Sequence, residues 1–186
     1  ILVRFQSDMR SKSTAVDRNR GRYRLRYGIT KQLNDELLAG FRLASGSDEG
    51  RRNLIESMGN GDSGFDKAHV WIDQVYLKYT PNWLENLTIW AGKFDANWKH
   101  KGILFHPEGV GFDGLGESYF YQITDNLKAD INLAQLIVSE SSSKDGDSEL
   151  YVFDTGLSGK FDTDYSPVTW GLRGTAYLFA GYRDGG

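Results

Sequence analysis

Four arginines carry the most legible chemistry in this chain. Arg22, Arg24 and Arg26 alternate with Tyr23, Leu25, Tyr27 and Ile29 in an unbroken period of two, and Arg42 stands opposite Leu37, Ala39, Phe41 and Leu43 in the next such segment. Successive side chains of a β-strand point to opposite faces, so each segment has one apolar face and one polar face. Counted back from the turn at Asn34-Asp35, Arg26 and Arg42 fall at similar height on neighbouring strands. A guanidinium is charged at every accessible pH, so four on one wall make a standing positive field that concentrates anions. Lys78, Lys128 and Arg173 extend the set of inward cations, while Asp130 and Asp154 point the same way and are placed to neutralise part of it.

No other cluster supports catalysis or cofactor binding. Gly109-Val-Gly111-Phe-Asp-Gly114 matches the dinucleotide-binding glycine pattern, but that pattern has meaning only between a strand and a helix, and no helical periodicity follows it. Asp145-Gly146-Asp147 and Asp162-Thr163-Asp164 lack the spacing and closing glutamate of a calcium loop. His69, His100 and His106 stand at no familiar zinc spacing. Ser118 has no glycine-flanked nucleophile context, so no enzyme is expected and neither a metal nor a cofactor. With no cysteine there is no disulfide, thiolate site or covalent haem in this chain. A net charge of −3 gives no footprint for nucleic acid.

The elements that must position these charges are strands. A mean hydropathy of −0.50 leaves no apolar run long enough for a spanning helix, yet does not exclude a barrel, whose polar inner half dilutes the average. Alternation predicts nine strands, at 1–6, 20–33, 37–45, 70–80, 87–94, 117–123, 127–138, 150–161 and 168–181. Several approach the ~9–11 residues that a tilted transmembrane strand requires. Two resist the pattern: Asp73 shares a face with Trp71, Val75 and Leu77, and Trp90 shares one with Thr88, which a bulge or a position near the rim would explain.

Short connections rich in turn formers (34–36, 81–86, 124–126, 162–167) alternate strictly with long polar ones (7–19, 46–69, 95–116, 139–149). Outer-membrane barrels sort their connections this way, short turns periplasmic and long loops outside. Tyr79, Trp83, Phe161, Tyr165 and Trp170 gather at the short-turn end, and Trp71, Tyr151, Phe153 and Tyr182 at the other, as two interfacial belts would. A short helix is predicted between Asp48 and Met58. The loop 95–116 is apolar for an exposed segment, and Trp98, Phe105, His106, Glu108 and Phe112 make it a candidate constriction folded against the inner wall; packing among loops at the rim is the alternative.

Several segments in order resemble the Putative porin family of Gram-negative outer membranes: Arg22-Tyr-Arg-Leu-Arg-Tyr-Gly28, Ala39-Gly-Phe-Arg-Leu-Ala-Ser-Gly-Ser47, Val75-Tyr-Leu-Lys-Tyr-Thr-Pro81, Leu87-Thr-Ile-Trp-Ala-Gly-Lys-Phe94 and His106-Pro-Glu-Gly-Val110. The likeness covers roughly residues 20 to 116 and fades afterwards; His106 departs from it, standing where a small polar residue is expected. The resemblance implies a general diffusion channel without cofactor or catalysis, and names no substrate.

The sequence reading is therefore an all-β, antiparallel up-and-down transmembrane barrel in one domain, 1–186, present as about nine strands of a longer barrel. The odd strand count leads to the expectation of a longer polypeptide that begins with a secretory signal. The expected function is passive diffusion of small hydrophilic solutes or ions through the bacterial outer membrane, with weak anion preference. Expected partners are membrane lipid and lipopolysaccharide, with assembly as a homo-oligomer, a trimer being the form considered. Two rivals stand beside it: a barrel serving as a sheath or docking platform for a partner protein, and a soluble β-sandwich that binds glycans through its aromatics.

Overall fold

A computed structural model of the chain describes residues 1–8, 18–46, 56–58, 69–96, 111–140, 147–163 and 165–181. These form eleven strands: β1 (Leu2–Asp8), β2 (Arg18–Arg24), β3 (Arg26–Gln32), β4 (Leu37–Gly46), β5 (Glu56–Ser57), β6 (His69–Tyr79), β7 (Leu87–Phe94), β8 (Phe112–Thr124), β9 (Leu127–Ser139), β10 (Ser148–Phe161) and β11 (Val168–Ala180), with one 3₁₀ turn at Asn82–Leu84. Eight strands make one sheet in the order β11-β10-β9-β8-β7-β6-β4-β3, and β1-β2-β5 make a second. Neighbours in the larger sheet are neighbours in sequence save for β5, which gives the antiparallel up-and-down order expected; its edges are β3 and β11, so it is a partial barrel. The residues divide into two compact units, 1–29 with 41–73, and 30–40 with 74–186.

In the first unit β2 pairs with β1 from Leu2↔Arg24 to Asp8↔Arg18, and β5 adds to its other side through Arg22↔Ser57 and Tyr23↔Glu56. The predicted continuous strand 20–33 is therefore two strands in two sheets, and the first predicted strand belongs to the smaller sheet. The break falls at Leu25. Its N–H donates to Ser45 Oγ (2.9 Å), so a side chain replaces the ladder carbonyl, while its carbonyl accepts the Ser45 N–H (2.9 Å). Residues 56–57 are strand, where the end of a short helix was predicted; 48–55 lie outside the described residues.

In the second unit the short turns close on their own polar groups. Asn34 Oδ1 accepts the Glu36 and Leu37 N–H groups (2.9 and 2.8 Å), an Asx turn, and Glu36 Oε1 accepts the Asn82 N–H (2.6 Å), tying two turns together. Alternation is clearest in β9 and β10. Asn132, Ala134 and Leu136 are buried between exposed Ile131, Leu133 and Ile137; Leu150, Val152, Asp154 and Gly156 are buried between exposed Tyr151, Phe153 and Thr155. The two faces differ: the covered face carries the buried polar groups together with an apolar cluster, and the exposed face carries many of the large hydrophobics. Leu25, Tyr27, Phe41, Leu77, Ile131 and Leu172 are all exposed. Exposed aromatics stand near both strand ends, with Trp83, Phe161, Tyr165 and Trp170 at the short turns and Trp71, Tyr151 and Phe153 at the other; Tyr182 lies outside the described residues. Along β10 the exposed positions run from Tyr151 to Phe161, which at ~3.3 Å per residue and ~40° of tilt spans about 25 Å, the height of a barrel's apolar band.

Two boundaries differ from expectation. β8 starts at Phe112, so the long connection ends at 111 and Phe112 is a strand residue opposite Phe94. Gly114, within the expected loop, faces Gly92 of the expected strand 87–94 across β8 and β7; their φ values are 155° and 110°, conformations that side chains rarely tolerate. In β6 the consecutive residues Asp73 and Gln74 are both buried, so the alternation slips by one place there. That slip places Val75 and Leu77 on the face opposite Asp73, which is covered while they are exposed; Trp71, two residues before Asp73, is exposed as well.

Candidate functional site

Strand register lays the covered face of the second unit out in rows. One row reads Thr88, Ser118, Asn132, Asp154, Thr175 across β7 to β11, each residue opposite the next, and Thr80 at the end of β6 joins it through the Thr88 hydroxyl at 3.5 Å. The hydroxyls and amides link laterally. Ser118 Oγ donates to Asn132 Oδ1 (2.5 Å), Asn132 Nδ2 donates to Asp154 Oδ2 (2.8 Å) and Asp130 Oδ2 (3.0 Å), and Thr175 Oγ1 donates to Asp154 Oδ1 (2.6 Å).

One place toward the short turns, Arg173, Gly156 and Asp130 lie abreast on β11, β10 and β9. The Arg173 guanidinium reaches across β10 to Asp130 Oδ1 (2.7 Å) and also donates to Asp154 Oδ2. Asp154 is completely buried, its carboxylate held by Arg173, Asn132 and Thr175. A buried carboxylate persists only where donors replace its water, and this one has three. The pairing of Asp130 and Asp154 with arginine, expected for the second-strand arginines, is made by Arg173.

Gly156 is what lets the guanidinium cross. A Cβ there would strike Arg173 Nη2 and come within 3.0 Å of Asp130 Oδ1. Gly156→Ala should therefore push the guanidinium off Asp130 and cost about 1–3 kcal/mol, the range for overpacked sites. Gly174→Ala on the exposed side, where a Cβ meets nothing within 4 Å, should cost well under that. Urea unfolding of the two variants in lipid vesicles, followed by tryptophan fluorescence, checks the difference; equal losses would remove the crossing from Gly156's role.

The first unit holds a second ion cluster. Arg42 Nε lies 2.5 Å and Arg26 Nε 3.4 Å from Oδ2 of buried Asp73. Arg26 and Arg42 are thus brought together as expected, but around a carboxylate, which cancels one of the two charges. Arg22 stands opposite Arg4 and Arg24 opposite Leu2 in the smaller sheet, so the four arginines do not form one ladder. Lys78 is half-buried with its Nζ 5.9 Å from the Trp90 ring centroid, and Lys128 is exposed in register with Gln122 and Ser158. Trp90 packs on the covered face against the apolar cluster, which explains its sharing a face with Thr88. Trp98, Phe105, His106 and Glu108 lie outside the described residues.

Sequence reasoning missed Asn132, Ser118, Thr175 and Gly156 as parts of the network. The available signal was the repeated polar residue on one face of consecutive strands at matched distance from each turn. Asn132, a polar residue on the inner face by alternation, is buried between two carboxylates and bonded to both. Among the described residues no group of three or more acids and histidines could hold a metal ion, and no helix is long and apolar enough to cross a membrane.

No curated protein sequence matches the chain. The family model described as Putative porin matches residues 6–162, a span that begins before and runs well beyond the segment in which the likeness was visible by eye. Matched over most of its length, on strands that expose apolar side chains and cover polar ones, the chain belongs to the Putative porin family.

Proposed function

We propose that this chain forms part of the wall of an outer-membrane channel for small hydrophilic solutes, with weak preference for anions. The porin family supports a channel rather than an enzyme and an outer-membrane location. The observation that carries the reading is the inversion of the two faces. Thr88, Ser118, Asn132, Asp154 and Thr175 line the covered side in one row, while Ile131, Leu133, Phe153 and Leu172 face outward. That distribution suits lipid outside and a polar lumen within. The long connections would face the exterior among lipopolysaccharide and the short turns the periplasm, with assembly into trimers through the outer wall.

The charge balance favours anions only weakly. Asp73 offsets one of Arg26 and Arg42, and Arg173 carries two carboxylates. The anion preference is assigned to the cationic side chains of the first unit, Arg22 and Arg24 among them. Since Arg26 and Arg42 hold a buried carboxylate, the informative variant is Arg22→Glu/Arg24→Glu. Planar-bilayer reversal potentials under a potassium chloride gradient should lie slightly on the chloride side for wild type and move toward potassium in the variant. A cation-preferring wild type ends the selectivity proposal. Absence of any conductance, together with solubility without detergent, would end the channel proposal and favour the soluble glycan-binding sandwich.

A further inference from the structure

The wall between the polar row and the long connections is not built for water. In the next row toward that end, Lys78, Trp90, Gly116, Ala134, Val152 and Tyr177 lie abreast, and beyond it come Tyr76, Gly92, Gly114, Leu136 and Leu150. Phe94, Ala134, Leu136, Leu150 and Val152 form one cluster with at most 6% of their surface exposed, and Tyr76, Trp90, Phe112 and Tyr177 pack against it. All stand on the same face as the Asp154 network. Between Tyr76 and Leu136 the wall is bare: Gly92 and Gly114 carry no side chain, and a Cβ on either would strike the backbone carbonyl of Val75 or Gln135. Side chains that line a wetted pore keep part of their surface in water. These five have lost it, packed with one another and with Tyr76, Trp90, Ala96, Phe112 and Tyr177, over about 10 Å of wall height at ~3.3 Å per residue and ~40° of tilt.

Resting on the channel reading, we infer that this apolar collar is the barrier that sets conductance. Its elements are Phe94, Leu136, Leu150 and Val152 on the inner wall, closing the long-connection half of the lumen to hydrated ions. An ion entering an apolar constriction must shed water that the wall cannot replace, and such constrictions gate by dewetting. The arginines then bias which ion enters, while the collar decides how often one crosses. Among small hydrophilic solutes, uncharged ones cross it more readily than ions.

The test is single-channel recording of the full-length protein in planar bilayers, comparing wild type with Phe94→Ala and with Leu136→Asn/Val152→Asn. Heat-modifiable electrophoretic mobility establishes that each has folded. Leu133→Asn, which alters the exposed face at the height between the polar row and the collar, is the control. Wild type should show small or rare openings, and both collar variants should raise the time-averaged conductance roughly threefold or more by hydrating the constriction, with Leu133→Asn unchanged. Phe94→Ala serves even where the double variant fails to fold, since it shrinks the collar without burying a polar group. Wild type conducting as fully as folded collar variants overturns the inference and leaves the channel reading intact. A folded set in which no variant conducts overturns both.

Discussion

Asp154→Ala is expected to lower the unfolding free energy of the reconstituted protein by about 3–5 kcal/mol, the range for removing one partner of a buried ion pair. Three consequences follow in the structure. Arg173 keeps only Asp130, Thr175 Oγ1 loses its acceptor, and Asn132 Nδ2 keeps Asp130 alone. The cost of stranding a donor exceeds the gain its bond had supplied, because the stranded group stays desolvated. Asp154→Ala/Arg173→Met should recover a large part of the loss, since a pair removed together leaves no uncompensated charge. Urea unfolding in lipid vesicles measures all three proteins. A loss below ~1 kcal/mol for the single variant would mean that the cluster behaves as a solvated surface pair.

Lysine at the outward positions Ile131 or Leu172 should destabilise the protein in vesicles by about 2–4 kcal/mol, the cost of a cation at the bilayer midplane. Both residues are exposed: Leu172 at 72% is among the barest large hydrophobics of the second unit, and Ile131 sits midway along β9. Thr30→Lys, on the polar side of β3, is the comparison and should cost little. Detergent micelles should narrow the gap, because a micelle deforms around a charge more readily than a bilayer. Equal tolerance at Ile131, Leu172 and Thr30 in vesicles would take the outward face out of the membrane.

How much of this was legible depends on whether the cause is local. The strands β6, β7, β9, β10 and β11 fall within about two residues of their predicted bounds, because outward Val75, Leu77, Ile131, Leu133, Phe153 and Leu172 state their face by type alone. The break at Leu25 was invisible. Alternation runs through it unbroken, and its cause is the Ser45 hydroxyl, twenty residues away in sequence. The early start of β8 was hidden by Gly114 and Gly116, whose lack of side chains reads as loop and here serves close strand approach. For the site, the residue types were visible but the partners were not. Asp73 announced itself as a carboxylate on a greasy face; that Arg26 and Arg42 would answer it required the slip in β6. Which arginine takes Asp130 and Asp154 depends on the register of three strands and on a glycine between them.

That glycine crossing also bears on how the wall assembles. A hairpin inserting into a membrane can try several registers, and the outward faces of β10 and β11 are greasy enough to accept more than one. A slip by one residue would turn Asp154 and Arg173 toward lipid, where no group could answer them. A slip by two keeps the faces but moves Gly156 from beneath Arg173, so the guanidinium meets a side chain and Asp130 loses its counter-ion. Only one register satisfies all three charges at once. The register of the β9-β10-β11 segment and the pairing of its buried charges are therefore one condition: the alignment that lays Gly156 between Arg173 and Asp130 is the one that gives the guanidinium both carboxylates.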